Sequence, residues 1–118
     1  MNHILIVDDI VDNSDLLQTF LEAEGYQTDV ANCGAIALEK IAAHSPDLVL
    51  LDVMMPGMSG YEVIQQVRQN LKSSVPILLV TGNDQFAMAT ELNVEAENFI
   101  RKPIDFDRLL NRIQTLLN

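Results

Sequence analysis

Three aspartates, a threonine and a lysine carry the chemistry that this sequence offers. Asp8 and Asp9 follow the apolar run Ile4-Leu5-Ile6-Val7, and Asp52 follows Leu48-Val49-Leu50-Leu51. Thr81 follows Ile77-Leu78-Leu79-Val80, and Lys102 follows the weaker run Asn98-Phe99-Ile100-Arg101. Brought together, three carboxylates repel one another, which raises some of their pKa values unless a cation is present. An all-oxygen site of that charge suits Mg²⁺, which keeps several waters and uses few carboxylates. An ammonium and a hydroxyl beside it fit the oxygens of a phosphoryl group. One carboxylate can then act as the nucleophile and form an aspartyl phosphate. Each residue also has a plainer role. Asp8-Asp9 suits a helix cap, Asp52 a strand-end turn, Thr81 a hydroxyl bonding its own backbone, and Lys102 a solvated charge. The joint occurrence at successive strand ends favours one shared site.

The elements that must position these residues are legible in the hydrophobic pattern. The apolar runs do not alternate, as expected of strands buried on both faces. Gln27-Thr28-Asp29-Val30-Ala31 is more polar, as an edge strand would be. Helical stripes lie between the runs: Leu16, Leu17, Phe20 and Leu21; Ala37, Leu38, Ile41 and Ala42; Ile64, Val67 and Leu71. The last and strongest is Leu109, Leu110, Ile113, Leu116 and Leu117. Each repeats at the three- and four-residue spacing of a helix face. Asp84 to Leu92 is expected to form a further helix. Gly25, Ser45-Pro46 and Val75-Pro76 punctuate the pattern. Five strands alternating with five helices predict a parallel α/β sheet covered on both faces. Ligands of such folds sit beyond the carboxyl ends of the strands, where Asp8, Asp9, Asp52, Thr81 and Lys102 all fall.

Val7-Asp8-Asp9, Asp52-Val53-Met54-Met55-Pro56-Gly57-Met58-Ser59-Gly60, Thr81-Gly82 and Lys102-Pro103 resemble the receiver domain of two-component response regulators. The resemblance covers essentially the whole chain, so residues 1–118 are expected to be one receiver domain. It implies a flavodoxin-like, doubly wound sheet of strand order 2-1-3-4-5. It also implies that Asp52 accepts the phosphoryl group and that Asp9 binds Mg²⁺ directly. Asp8 would act mostly through water, with the Met54 carbonyl as another ligand. Thr81 and Lys102 would hold phosphoryl oxygens, and Phe99 would be the switch aromatic, turning inward as Thr81 moves. Pro56, Gly57 and Gly60 would shape the loop beside Asp52. Two positions that tune hydrolysis in the family hold Met54 and Asn83. Met54 is a poor water ligand, which implies a long-lived phosphoryl group. Glu95 stands where the family commonly has Gly, so the preceding helix is expected to end differently.

The implied partners are a histidine kinase or phosphotransfer protein and an unknown downstream protein. A phosphorylation-dependent homodimer is a further expectation. The domain would catalyse its own phosphorylation without turning over a separate substrate. The net charge of -10, with seven Lys and Arg residues, argues against direct nucleic-acid binding. No signal peptide or membrane span is legible, and the lone Cys33 excludes an internal disulfide, which fits a cytoplasmic protein. With the final helix ending at the last residue, no DNA-binding output domain is expected in this chain. The chain is either a stand-alone receiver or one cut from a longer regulator. His3 and His44 are expected to be exposed, and Met54, Met55 and Met58 to fill an irregular gap.

Three other readings compete. A phosphatase of the haloacid dehalogenase type would need a second Asp where Met54 stands. An FMN phosphate would be repelled by Asp8-Asp9. A phosphorylation-independent interaction domain would leave the acidic, Thr and Lys set without a role.

Overall fold

The computed structural model describes residues 2–82 and 99–117, and their strands form a single parallel sheet. The chain runs β1 (His3–Val7), α1 (Val11–Ala23), β2 (Gln27–Ala31), α2 (Gly34–Ala43) and β3 (Leu48–Asp52). It continues through α3 (Gly60–Gln69), β4 (Ile77–Thr81), β5 (Phe99–Arg101) and α4 (Phe106–Leu117). The strand order is β2-β1-β3-β4-β5, as the resemblance implied. Four helices lie among the described residues. The helix expected over residues 84–92 falls outside them, as do Asn83 and Glu95.

Strand alternation divides the core into two layers. Leu5, Val7, Val49, Leu51, Leu79 and Phe99 pack with Ala37, Ile41, Val63 and Val67 of α2 and α3. Ile4, Ile6, Leu48, Leu50, Val80 and Ile100 pack on the opposite face with residues of α1 and α4. Both faces of β1, β3 and β4 are therefore dry, which is why their sequences run apolar without alternation. Each fully buried Leu or Ile here contributes about 1.5–3 kcal/mol over its exposed state.

Helix ends follow their local chemistry. The Gly25 N–H donates to the Glu22 carbonyl and that of Tyr26 to Leu21, with Gly25 at φ +95°, a left-handed close to α1. Ser59 caps α3 by accepting from the Glu62 N–H at 3.3 Å. Asp105 Oδ1 accepts from the N–H groups of Asp107 and Arg108 and starts α4.

Some helix faces differ from the stripes read in the sequence. Leu16 is 57 % exposed, and Ser14, Leu17 and Leu21 form the buried face of α1. Ala42 is exposed, and the inner face of α2 is Gly34, Ala37 and Ile41. Leu71 lies beyond the end of α3 and is exposed, while Gly60, Val63 and Val67 face the sheet. Leu17 and Leu21, Ala37 and Ile41, and Val67 belong to both stripe and face, and each observed face extends to a small residue nearer the helix start. A stripe counted from large apolar side chains misses the inward Ser and Gly positions, Ser14, Gly34 and Gly60.

Candidate functional site

The parallel register brings the strand ends together. Val7 pairs with Leu51, Asp52 with Val80, and Thr81 with Arg101. The residues after these pairs emerge on one edge. Carboxylate oxygens of Asp8, Asp9 and Asp52 all lie within 4.8 Å of one another. Lys102 Nζ stands 3.2 Å from Asp52 Oδ1, and the Met54 N–H donates to the same oxygen at 3.3 Å. Asp8, Asp52 and Thr81 are all buried.

Asp8 is held at three atoms. Its N–H donates to the Ala31 carbonyl at 3.1 Å, its Oδ1 accepts from the Ile10 N–H at 2.9 Å, and its carbonyl accepts from Asn32 Nδ2 at 2.7 Å. Burial raises the Asp8 carboxyl above its ordinary pKa; the Ile10 N–H opposes this and the negative charge of Asp52 adds to it. Asp9 Oδ1 and Thr81 Oγ1 are buried polar atoms without a hydrogen-bond partner among the described residues. Such groups are costly unless something else binds them.

The donor set fits Mg²⁺. All candidate ligands are hard oxygens that lie within 4.8 Å of one another, and Asp9 Oδ1 is buried with no partner among the described residues, as an oxygen able to serve a cation would be. The Thr81 hydroxyl, buried at the end of β4 and unpaired among the described residues, is free to donate to an anion.

The loop after β3 is shaped by two glycines for different reasons. Gly57 adopts φ +80°, which favours glycine. Gly60 has an ordinary φ but no room: a Cβ there would lie 2.7 Å from the Asp52 carbonyl oxygen and 2.8 Å from Val53 Cα. The Gly60 N–H donates to the Val53 carbonyl at 2.9 Å, so the first turn of α3 sits directly on the end of β3. Met55 is buried and Met58 packs on the core, as gap-filling residues would, but Met54 is 61 % exposed. Its position follows from its backbone, whose N–H is turned to Asp52.

Phe99 is buried in the α2–α3 layer, already inward in this structure. It pairs with Leu79, two residues before Thr81 on the same face. The Lys102 N–H donates to the Thr81 carbonyl at 2.7 Å, and the Lys102-Pro103 peptide is cis. His3 is half-buried with its ring 6.0 Å from that of His44. Both lie away from the acidic edge, whereas Cys33, half-buried at the start of α2, follows Asn32 on the same edge as Asp8. Asn32 was not singled out from the sequence. Extending the strand-end rule to the edge strand would have found it, since it follows Ala31 of β2.

Beside the site runs a groove of about 250 Å³ between α1 and the segment from Lys102 to Phe106. Asp8 and Lys102 form its polar end, and Leu16, Leu17, Ile104 and Phe106 its apolar flank. Among the described residues, no helix is long and apolar enough to cross a membrane.

A family model described as the response regulator receiver domain matches residues 4–114. Response regulator ArlR of Staphylococcus saprophyticus is 36 % identical over 118 residues, which are 99 % of this chain and 53 % of that protein. The uncharacterized transcriptional regulatory protein YkoG of Bacillus subtilis is 39 % identical over 116 residues, 98 % of this chain and 50 % of that one. The chain thus spans about half the length of these curated relatives. Among solved structures, Vibrio cholerae chemotaxis protein CheY4 superposes with a TM-score of 0.85 at 28 % identity, covering 99 % of both chains. The receiver domain of NtrX from Brucella abortus gives 0.84 at 29 % identity over 97 % of both.

Proposed function

This chain belongs to the response regulator receiver domain family, and from that premise we propose that it is a phosphorylation-controlled switch whose phosphoacceptor is Asp52. The observation that carries the reading is the convergence of three carboxylates, a lysine ammonium and an orphaned threonine hydroxyl on one strand-end edge.

Asp9 and Asp52 would hold Mg²⁺ with the Met54 carbonyl, and Asp8 would hold it largely through water. Bound there, Mg²⁺ supplies charge neutralisation to the transferring phosphoryl group. The remaining work is done by the chain itself. Lys102 and the Met54 N–H orient the Asp52 carboxylate through Oδ1. A carboxylate oxygen attacks the phosphorus of a phosphohistidine, the P–N bond breaks, and its electron pair leaves on the imidazole nitrogen. Lys102 then turns its ammonium to a phosphoryl oxygen, and the Thr81 hydroxyl donates to another. Each chain carries one phosphoryl group and turns over no separate substrate.

The donor is a histidine kinase or phosphotransfer protein. The groove along α1 gives it a footing, with Ile10, Val11 and Leu16 each more than half exposed beside the acidic mouth. Readout runs through the other layer. Thr81 and Phe99 lie on the same sheet face on adjacent strands, so movement of Thr81 changes the space available to Phe99. Phe99 already occupies an inward position, so phosphorylation shifts a population between accessible states. A downstream protein binds one state better, and a phosphorylation-dependent homodimer would draw on the same difference.

The test is intact mass after incubation with acetyl phosphate and Mg²⁺, for the parent and for Asp52→Asn. A phosphoryl adduct on the parent alone is expected. An adduct on Asp52→Asn equal to the parent's, or none on the parent, refutes the assignment.

A further inference from the structure

We propose that Asn32 is a positioning residue for the metal site, acting through the peptide that joins Asp8 to Asp9. The inference rests on the Mg²⁺ reading above. Asn32 follows the last residue of edge strand β2 and lies 24 positions from Asp8 in sequence. Its Nδ2 donates to the Asp8 carbonyl at 2.7 Å and lies 3.4 Å from Ser14 Oγ. Ser14 is buried in the first turn of α1 and donates to the Val11 carbonyl at 2.9 Å. Asn32 therefore ties together the end of β2, the acidic turn and the start of α1.

The bond matters for Asp9 more than for Asp8. The Asp8 carbonyl and the Asp9 N–H belong to one planar peptide, so fixing that carbonyl fixes where Asp9 Cα lies, and the Ile10 N–H bond to Asp8 Oδ1 on its other side restricts rotation about it. Asp8 has its own side-chain anchor in the Ile10 N–H. Asp9 Oδ1 has no hydrogen bond. Its carboxylate is thus aimed by the backbone, against repulsion from Asp8 and Asp52. Without Asn32, the peptide can rotate toward solvent and carry Asp9 away from its neighbours. A partner that orients a metal ligand typically changes metal affinity by about 10–100-fold.

Charge and orientation predict opposite results for one substitution. Asn32→Asp keeps the size and removes the donor, but adds a negative charge near the cation site. If only the field mattered, Mg²⁺ would bind more tightly. If the Asp8–Asp9 peptide must be held, Mg²⁺ binds more weakly.

The experiment is a Mg²⁺ titration of the parent, Asn32→Ala, Asn32→Asp and Asp9→Asn, followed by amide NMR, with melting temperatures measured without metal. Expected is a dissociation constant about tenfold higher for both Asn32 variants, with the Asp9 amide signal moved before metal is added. Asn32→Asp binding as tightly as the parent or more tightly overturns the inference, as does an unchanged affinity in Asn32→Ala. A lower melting temperature with unchanged Mg²⁺ affinity makes Asn32 a purely structural residue and also overturns it. A parent that does not respond to Mg²⁺, or responds no differently from Asp9→Asn, instead overturns the metal site, and the inference falls with it.

Discussion

Gly60→Ala should impair phosphorylation of Asp52 although residue 60 carries no functional group. The added Cβ would meet the Asp52 carbonyl oxygen at 2.7 Å, Val53 Cα at 2.8 Å and the Asp52 carbonyl carbon at 3.3 Å. All three are backbone atoms of the segment that bears the phosphoacceptor, so no flexible side chain can yield. Relief to ordinary contact needs a separation of roughly 0.7 Å between the start of α3 and the end of β3, and a misplacement near 1 Å can cost about 10²-fold in rate. A loss of about tenfold or more in phosphorylation rate is expected, with about 1–3 kcal/mol of stability lost to overpacking. Gly25→Ala is the matched control. Its φ of +95° strains an alanine, but nothing lies within 4 Å of the added Cβ. It should lose about 1–2 kcal/mol and keep the parental rate. Urea unfolding gives the stabilities, and the time course of adduct mass with phosphoramidate and Mg²⁺ gives the rates. Parental phosphorylation of folded Gly60→Ala refutes the reasoning, and so does an equal rate loss in Gly25→Ala.

Two further outcomes follow from the site. Met54→Asn should shorten the lifetime of phosphorylated Asp52, because an exposed amide beside the site can orient water and a thioether cannot; decay of the adduct mass checks this, and an unchanged decay rate removes Met54 from the account. Asp8 has a folded pKa raised by burial, so its contribution to stability is present in full below the unfolded value of 3.8 and is lost as pH rises through the folded value. At pH 7 without metal, Asp8→Asn should therefore melt at a higher temperature than the parent. The gap should close as pH falls toward 4 or as Mg²⁺ is added, and a lower melting temperature for the variant at pH 7 contradicts the burial argument.

The sheet was legible because its strands are dry on both faces. Ile4 to Val7, Leu48 to Leu51 and Ile77 to Val80 need continuous apolar sequence, and little else of that length does. Their polar successors then located Asp8, Asp52 and Thr81 without knowledge of the helices. Helix faces were less legible. Ser14, Gly34 and Gly60 face inward as small residues that carry no hydrophobic signal, and Gly60 is small because α3 sits directly on the end of β3. Gly34 is small because α2 meets α3 and its loop there: a Cβ on it would lie 2.9 Å from Met58 Sδ and 3.0 Å from Val63 Cγ2. The hydrogen bond from Asn32 to Asp8 was hidden for a different reason. It joins residues 24 positions apart, and its meaning appears only when β2 is known to lie beside β1.

The division of the core into two layers has an evolutionary consequence. Ile6 and Ile100 have one set of neighbours, and Leu51 and Leu79 another, with the sheet between them. Substitutions that share no neighbour are close to additive, so each layer is free to drift with little epistasis toward the other. The strand ends are the exception. Asp8, Asp52 and Lys102 continue the alternation of the α1–α4 layer, whereas Thr81 continues that of the α2–α3 layer. A group spanning Asp52 and Thr81 couples mutational histories that the sheet otherwise keeps apart, so compensating changes between the layers should concentrate along that one edge.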